Sequence, residues 1–230
     1  MSNKGKMYAV LTGDIVGSSR LDPAELRALM QRLRDGAKRF EQAFAGTVVG
    51  ELDVFSGDGW QMLMPDWKRS LRAAIFMRAL AKADMEIDAD TRVAVGWGGV
   101  DVTSLNRGRI SESTGEAFLR SGRALKAMKR QDRLTVACGE ASGREALLRA
   151  ALGLVDELAR RWTVRQASKI AQALLGRGQE EIARDGNTSQ PTVNRALQSA
   201  GWRGIEGLLE EVEHNSEKLL TGNIASGGYK

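Results

Sequence analysis

The sequence predicts an α+β protein whose C-terminal part is wholly helical. Three observations lead there. Apolar runs with strand character alternate with helical spacing up to about residue 139; strand signals stop near Gly139; beyond it, apolar residues recur only at helical spacing. The expected division is residues 1–139 as a sheet domain, 140–220 as a helical module and 221–230 as a Gly/Ser-rich mobile tail, with the boundary falling within 139–160.

Each element has a local reason. Met7 to Leu11 is an apolar, partly β-branched run that stops at Thr12-Gly13-Asp14, which is a strand ending in a turn. Asp22-Pro23-Ala24-Glu25 combines an N-cap, a first-turn proline and a glutamate three residues on, and Leu26, Met30, Leu33, Ala37 and Phe40 follow at helical spacing. Thr47 to Phe55 and Trp60 to Met64 read as two strands joined by the turn residues Ser56-Gly57-Asp58-Gly59. Asp66 is expected to cap a helix carrying Leu71, Ile75 and Ala79, and Thr91 to Val95 is a fourth strand. The order β-α-β-β-α-β is the ferredoxin-like plan, an antiparallel sheet with two helices on one face. A further helix with Ala117, Phe118, Ser121, Ala124, Leu125 and Met128 inward, then a strand over Arg133 to Ala137, extend it. Leu147, Leu148, Ala151, Leu154, Val155, Leu158 and Trp162 mark a long amphipathic helix.

Composition narrows the chemistry. At 42% hydrophobic, 230 residues can bury a real core. No apolar run is long enough for a bilayer, and no signal-peptide segment opens the chain. One cysteine, Cys138, forbids an intramolecular disulfide and fits a reducing, cytoplasmic setting; a single histidine, His214, argues against a structural zinc site and a Ser/His/Asp hydrolase. The net charge of +5 is compatible with a polyanionic partner. It is uneven: Arg160, Arg161, Arg165, Lys169, Arg177, Arg184, Arg195 and Arg203 face only Glu180, Glu181 and Asp185, before an acidic stretch from Glu206 to Glu217.

Gln179 to Leu197 has the pattern of a helix-turn-helix. A short helix with Ile182 and Ala183 buried meets a turn at Gly186-Asn187-Thr188. Ser189 is a good N-cap, and Pro191 sits in the first turn of the next helix, where a missing N–H costs nothing. Val193 and Leu197, four apart, face the core. Gln190, Thr192, Asn194, Arg195 and Gln198 are left outward, and amide, hydroxyl and guanidinium groups bond base edges and phosphates. With Ser189 they form the expected interface to double-stranded DNA. The competing reading is an ordinary helical hairpin. Gly186 and Asn187 stand where such turns usually have Leu and Gly, which thins the core; Asn tolerates the left-handed backbone.

Two carboxylates sit at positions that bear on catalysis. Asp14 ends the first strand and Asp58 lies at the hairpin tip; with strand one beside strand three, both reach one sheet edge. Such a pair makes a hard-oxygen site for Mg²⁺, with Gly13, Gly17, Gly57 and Gly59 allowing close backbone approach. Turn residues of no chemical role are the other reading, since Asp and Gly dominate turns.

The series Gly13-Asp14-Ile15-Val16-Gly17-Ser18, Ser56-Gly57-Asp58-Gly59 and Arg92 to Val100 resembles the class III nucleotidyl cyclase domain in order and spacing. Joined to a C-terminal helix-turn-helix that ends Leu197-Gln198-Ser199-Ala200-Gly201-Trp202, it is similar over nearly the whole chain to the SatD family of bacterial proteins. The resemblance implies metal ligation by Asp14 and Asp58, nucleotide contacts from Gly17, Ser18, Gly57 and Arg123, and pairing of two chains as a homodimer. The cyclase asparagine expected four residues before Arg123 is Leu119, and the base-reading lysine four before Asp58 is Val54. Groups that position substrate are therefore missing, and orientation supplies much of the barrier reduction. The leading expectation is a DNA-binding regulator whose cyclase-like domain dimerises and senses a nucleotide or metal. The alternatives are a Mg²⁺-dependent enzyme acting on nucleoside triphosphates and a protein-interaction adaptor.

Overall fold

The computed structural model describes residues 6–139 and 143–221; the expected tail from 222 on, and residues 140–142, lie outside the described residues. In chain order the elements are β1 (Tyr8–Ile15), α1 (Pro23–Ala43), β2 (Val49–Phe55), β3 (Gly59–Met64), α2 (Ser70–Lys82), β4 (Thr91–Gly98), α3 (Glu116–Ala127), β5 (Leu134–Ala137), α4 (Gly143–Arg160), α5 (Val164–Leu174), α6 (Gln179–Asp185), α7 (Gln190–Ser199) and α8 (Trp202–Thr221). The protein is mixed α+β. The sheet runs β2-β3-β1-β4-β5, with the first four strands antiparallel, as a βαββαβ unit requires, and β5 added parallel to β4.

Strand alternation sorts residues onto two buried faces. Ala9, Leu11 and Ile15 of β1 enter the main core beneath α1 and α2; Val10 joins Leu63, Ile110, Ala117 and Phe118 on the other face. That second face is covered by α3 and the short helical turn at Ile110–Glu112, so β1 and β4 offer no bare surface there. Gly96 makes the close packing feasible, because a Cβ on it would collide with the backbone of α3 at Ala117 and Ser121.

Caps follow the sequence in part. Asp22 forms the expected capping box with Glu25. Asp66 does not cap α2: its carboxylate pairs with Arg69 at 3.5 Å, and a 3-10 turn over Trp67–Arg69 precedes the helix. In α4, Leu148, Leu152, Val155 and Ala159 are buried, while Leu147 and Leu154 are 73% and 71% exposed. The inward face is thus rotated from the expected one: each of those two leucines lies one residue, about 100°, from the core stripe.

The helical module shares the core of the sheet domain. One continuous apolar cluster runs from Leu11, Trp60 and Val95 through α2 to Ile170, Leu174, Val193, Leu197 and Ile205. Helix α2 is buried on every side except at Lys82, because the sheet, α1 and α5 enclose it. Its Arg78 has no exposed surface and bridges Asp90 and Asp156. Arg72 reaches Glu213 of α8 at 2.5 Å, and Trp162 donates to the Ala200 carbonyl at 2.9 Å. Among the described residues no helix is long and apolar enough to cross a membrane.

Candidate functional site

The C-terminal helix pair is built from small local devices. Thr163 and Gln166 form a capping box that starts α5. Arg177, ahead of α6, binds Glu181 at 2.7 Å and pairs with Asp185, clamping the short helix along its length. Its chain turns at Asn187, which has φ of 44°, the left-handed conformation asparagine tolerates better than most side chains. The Thr188 N–H closes the turn on the Ala183 carbonyl at 2.9 Å. Ser189 has the extended backbone of an N-cap, yet its hydroxyl meets the Thr192 hydroxyl at 2.9 Å and makes no cap bond to the helix backbone, contrary to the side-chain capping expected of it.

Beneath α7, Val193 and Leu197 are 0% and 2% exposed, which fixes the roll of the helix. Ser189, Gln190, Arg195 and Gln198 are exposed; Thr192 and Asn194 are half-buried. Arg161, Arg165, Arg184 and Arg203 of the helical module are exposed as well. Every residue expected at a DNA interface except Thr192 and Asn194 is therefore freely reachable from solvent, and those two are half-buried.

At the carboxylate end of the sheet the two aspartates have separate partners. Asp14 lies opposite Arg92 across the β1–β4 pair. Arg92 donates to both Asp14 oxygens, through Nε at 2.8 Å and through Nη2. The guanidinium is held more firmly protonated by the Asp14 hydrogen bond, against desolvation, and by the charges of Asp14 and Asp58. Asp58, at the hairpin tip, accepts a 2.5 Å bond from the Ser18 hydroxyl. Gly17 has φ of 66° where the chain leaves β1, and a Cβ there would stand 2.6 Å from the Arg20 guanidinium. The Cβ position of Gly57 faces open space. Asp14, Ser18 and Asp58 thus gather near Arg92, an ion-pair partner that strand periodicity alone did not single out. Register would have found it, since residue 92 is the only basic side chain directly opposite Asp14.

Mg²⁺ demands near-octahedral oxygen coordination at about 2.0–2.1 Å. Here both oxygens of Asp14 face a guanidinium and one oxygen of Asp58 is taken by Ser18. Among the described residues, no group of three or more His, Cys, Asp or Glu side chains is placed to hold a metal ion. In this arrangement Arg92 supplies the positive charge beside Asp14 and Asp58. Arg123 is not part of this cluster. It is exposed on α3 and lines a recess against β5 and α4.

No protein-family model matches the chain, and no curated protein matches it. Among solved structures, the crystal structure of the guanylyl cyclase Cya2 is a weak neighbour, with a TM-score of 0.40 and 15% identity over 57% of this chain and 74% of that one.

Proposed function

We propose that the protein is a DNA-binding transcriptional regulator of the SatD type, acting as a homodimer, with α7 as the helix that enters the major groove. The observation that carries this is the side-chain sorting on α7. Val193 and Leu197 anchor it, while Gln190, Arg195 and Gln198 stand exposed beside the arginines of the same module. A single such helix reads few base pairs, so two copies on a twofold site are required for specific binding. The sheet domain is a non-catalytic relative of the cyclase domain in this reading. Leu119 and Val54 replace the groups that would position a nucleotide, and Arg92 neutralises the carboxylates that would hold its metal.

Fluorescence anisotropy against labelled genomic fragments tests the proposal. Affinity is expected to fall steeply between about 50 and 200 mM salt, as phosphate contacts require. Arg195→Ala is expected to weaken specific binding roughly 5- to 150-fold, the range for one base-contacting side chain. Salt-independent binding, or an Arg195→Ala variant that binds like the native protein, refutes it. A protein-interaction adaptor would show both.

A further inference from the structure

We infer that the recess between α3, β5 and α4 is a binding site for a small organic anion with an apolar body. The recess is a groove open to solvent with a volume of about 560 Å³, within the range of small-molecule sites. Its floor is apolar, formed by Ala124, Met128, Leu134 and Val136. Its rim is cationic, with Arg120, Arg123, Lys129 and Arg149.

The charges within it do not cancel. Arg120 is spent on the Trp97 carbonyl and Glu116, and Arg149 reaches Glu145 at 3.8 Å. Of its two acids, Asp156 is neutralised by Arg78, while Asp132 meets only a neutral N–H and keeps its charge, so Arg123 and Lys129 together leave one net positive charge. Asp132 accepts from the Lys129 backbone N–H at 3.0 Å, and Asp156 from Arg78 and the Arg133 N–H, each at 2.7 Å. Among the described residues no carboxylate pairs with the side chain of Arg123 or of Lys129. Two uncommitted cations over an apolar floor match an anionic group on a hydrophobic frame. The similar-sized recess between α1, α2 and α5 differs in degree: its Arg32 and Arg177 are neutralised by Asp84 and by Glu181 with Asp185, leaving Arg39 against Glu86 in the same lining.

Gly153, exposed on α4, also lines the recess. It lies in the interior of α4, where glycine is disfavoured relative to alanine. No left-handed backbone demands it, and a Cβ there would meet no atom within 4 Å. Arg149, Gly153 and Asp156 share one face of α4 and all line the recess. The missing side chain keeps the space open.

The inference does not depend on DNA binding, and its test reads ligand directly. The full chain is titrated with 8-anilinonaphthalene-1-sulfonate, an aryl sulfonate that fluoresces when its rings leave water. Saturable binding of one class is expected. Gly153→Leu, which fills the recess and favours the helix, should weaken binding by about tenfold or more. Arg123→Glu, an exposed substitution that leaves the core untouched, should weaken the sulfonate by about tenfold while barely changing binding of the uncharged N-phenyl-1-naphthylamine. A native titration that does not saturate, native-like binding by Gly153→Leu, or indifference of the sulfonate to Arg123→Glu each overturns the assignment.

Discussion

Replacing Arg78 with methionine tests what joins the helical module to the sheet. Arg78 is 0% exposed and donates to Asp90 at 2.9 and 3.0 Å and to Asp156 at 2.7 Å. It sits on α2, Asp90 leads into β4, and Asp156 lies on α4, so one guanidinium ties three elements together. Methionine preserves most of the apolar stem and removes the charge. The two carboxylates keep one backbone donor each, Thr91 N–H at 2.9 Å and Arg133 N–H at 2.7 Å, but lose their buried cation. Removing one partner of a buried ion pair costs about 3–5 kcal/mol. Asp90 retains 16% exposure and Lys82 at 4.0 Å, which places the expected cost at the lower end, about 3 kcal/mol. For a chain of this size that lowers Tm by roughly 6–12 °C. Urea unfolding followed by tryptophan fluorescence, with a thermal melt beside it, measures both quantities. The triple variant Arg78→Met, Asp90→Asn, Asp156→Asn should recover much of the loss, because no charge is then left stranded. A loss below about 1 kcal/mol in the single variant, or a triple variant weaker than the single one, refutes the reasoning.

Other expectations follow from the same contacts. Leu197→Ala empties a site that is 2% exposed under α7 and should cost about 2–5 kcal/mol in urea unfolding; a smaller loss would mean that α7 is not held by its core side. Arg92→Ala should free both oxygens of Asp14 beside Asp58 and create Mn²⁺ binding detectable by electron paramagnetic resonance, absent from the native protein and abolished again by Asp58→Asn. Equal Mn²⁺ binding by the native chain would show that the guanidinium does not keep the ion out. Burial, reinforced by the charge of Glu145, pushes the Cys138 thiol up to about 12. At pH 8 the thiolate fraction is then about one in ten thousand, so an aromatic disulfide reagent should react slowly until urea is added, and faster with rising pH. Rapid reaction of the folded chain at pH 8 would contradict that placement.

Local chemistry made much of the fold legible. The capping box at Asp22, the turn residues around Asp58 and the apolar run of β3 are decided within a few residues and lie where the sequence puts them, whereas β1 runs on through Thr12-Gly13-Asp14, expected as a turn, to Ile15 because both neighbouring strands pair with it there. The α6–turn–α7 pair was readable for the same reason, since Val193, Leu197 and the left-handed Asn187 lie within eleven residues of one another. Legibility failed where the deciding partner is distant. Amphipathic spacing in α4 identifies a helix but not which of two adjacent leucine stripes meets the sheet, and Leu148 and Leu152 win because α8 and β5 pack there. The recess lined by Gly153 belongs to three separate elements and has no local signature.

The sequence by itself determined the elements, their order and the polar face of α7, because hydrogen-bonding caps, turn dihedrals and side-chain periodicity act over a few residues. Only the tertiary structure decided that Arg92 stands against Asp14, that Arg78 joins two acids from opposite ends of the sheet domain and the helical module, and that both parts share one core. Those outcomes depend on strand register and helix roll, which are set when whole faces are buried together, and burial is a property of the assembled chain.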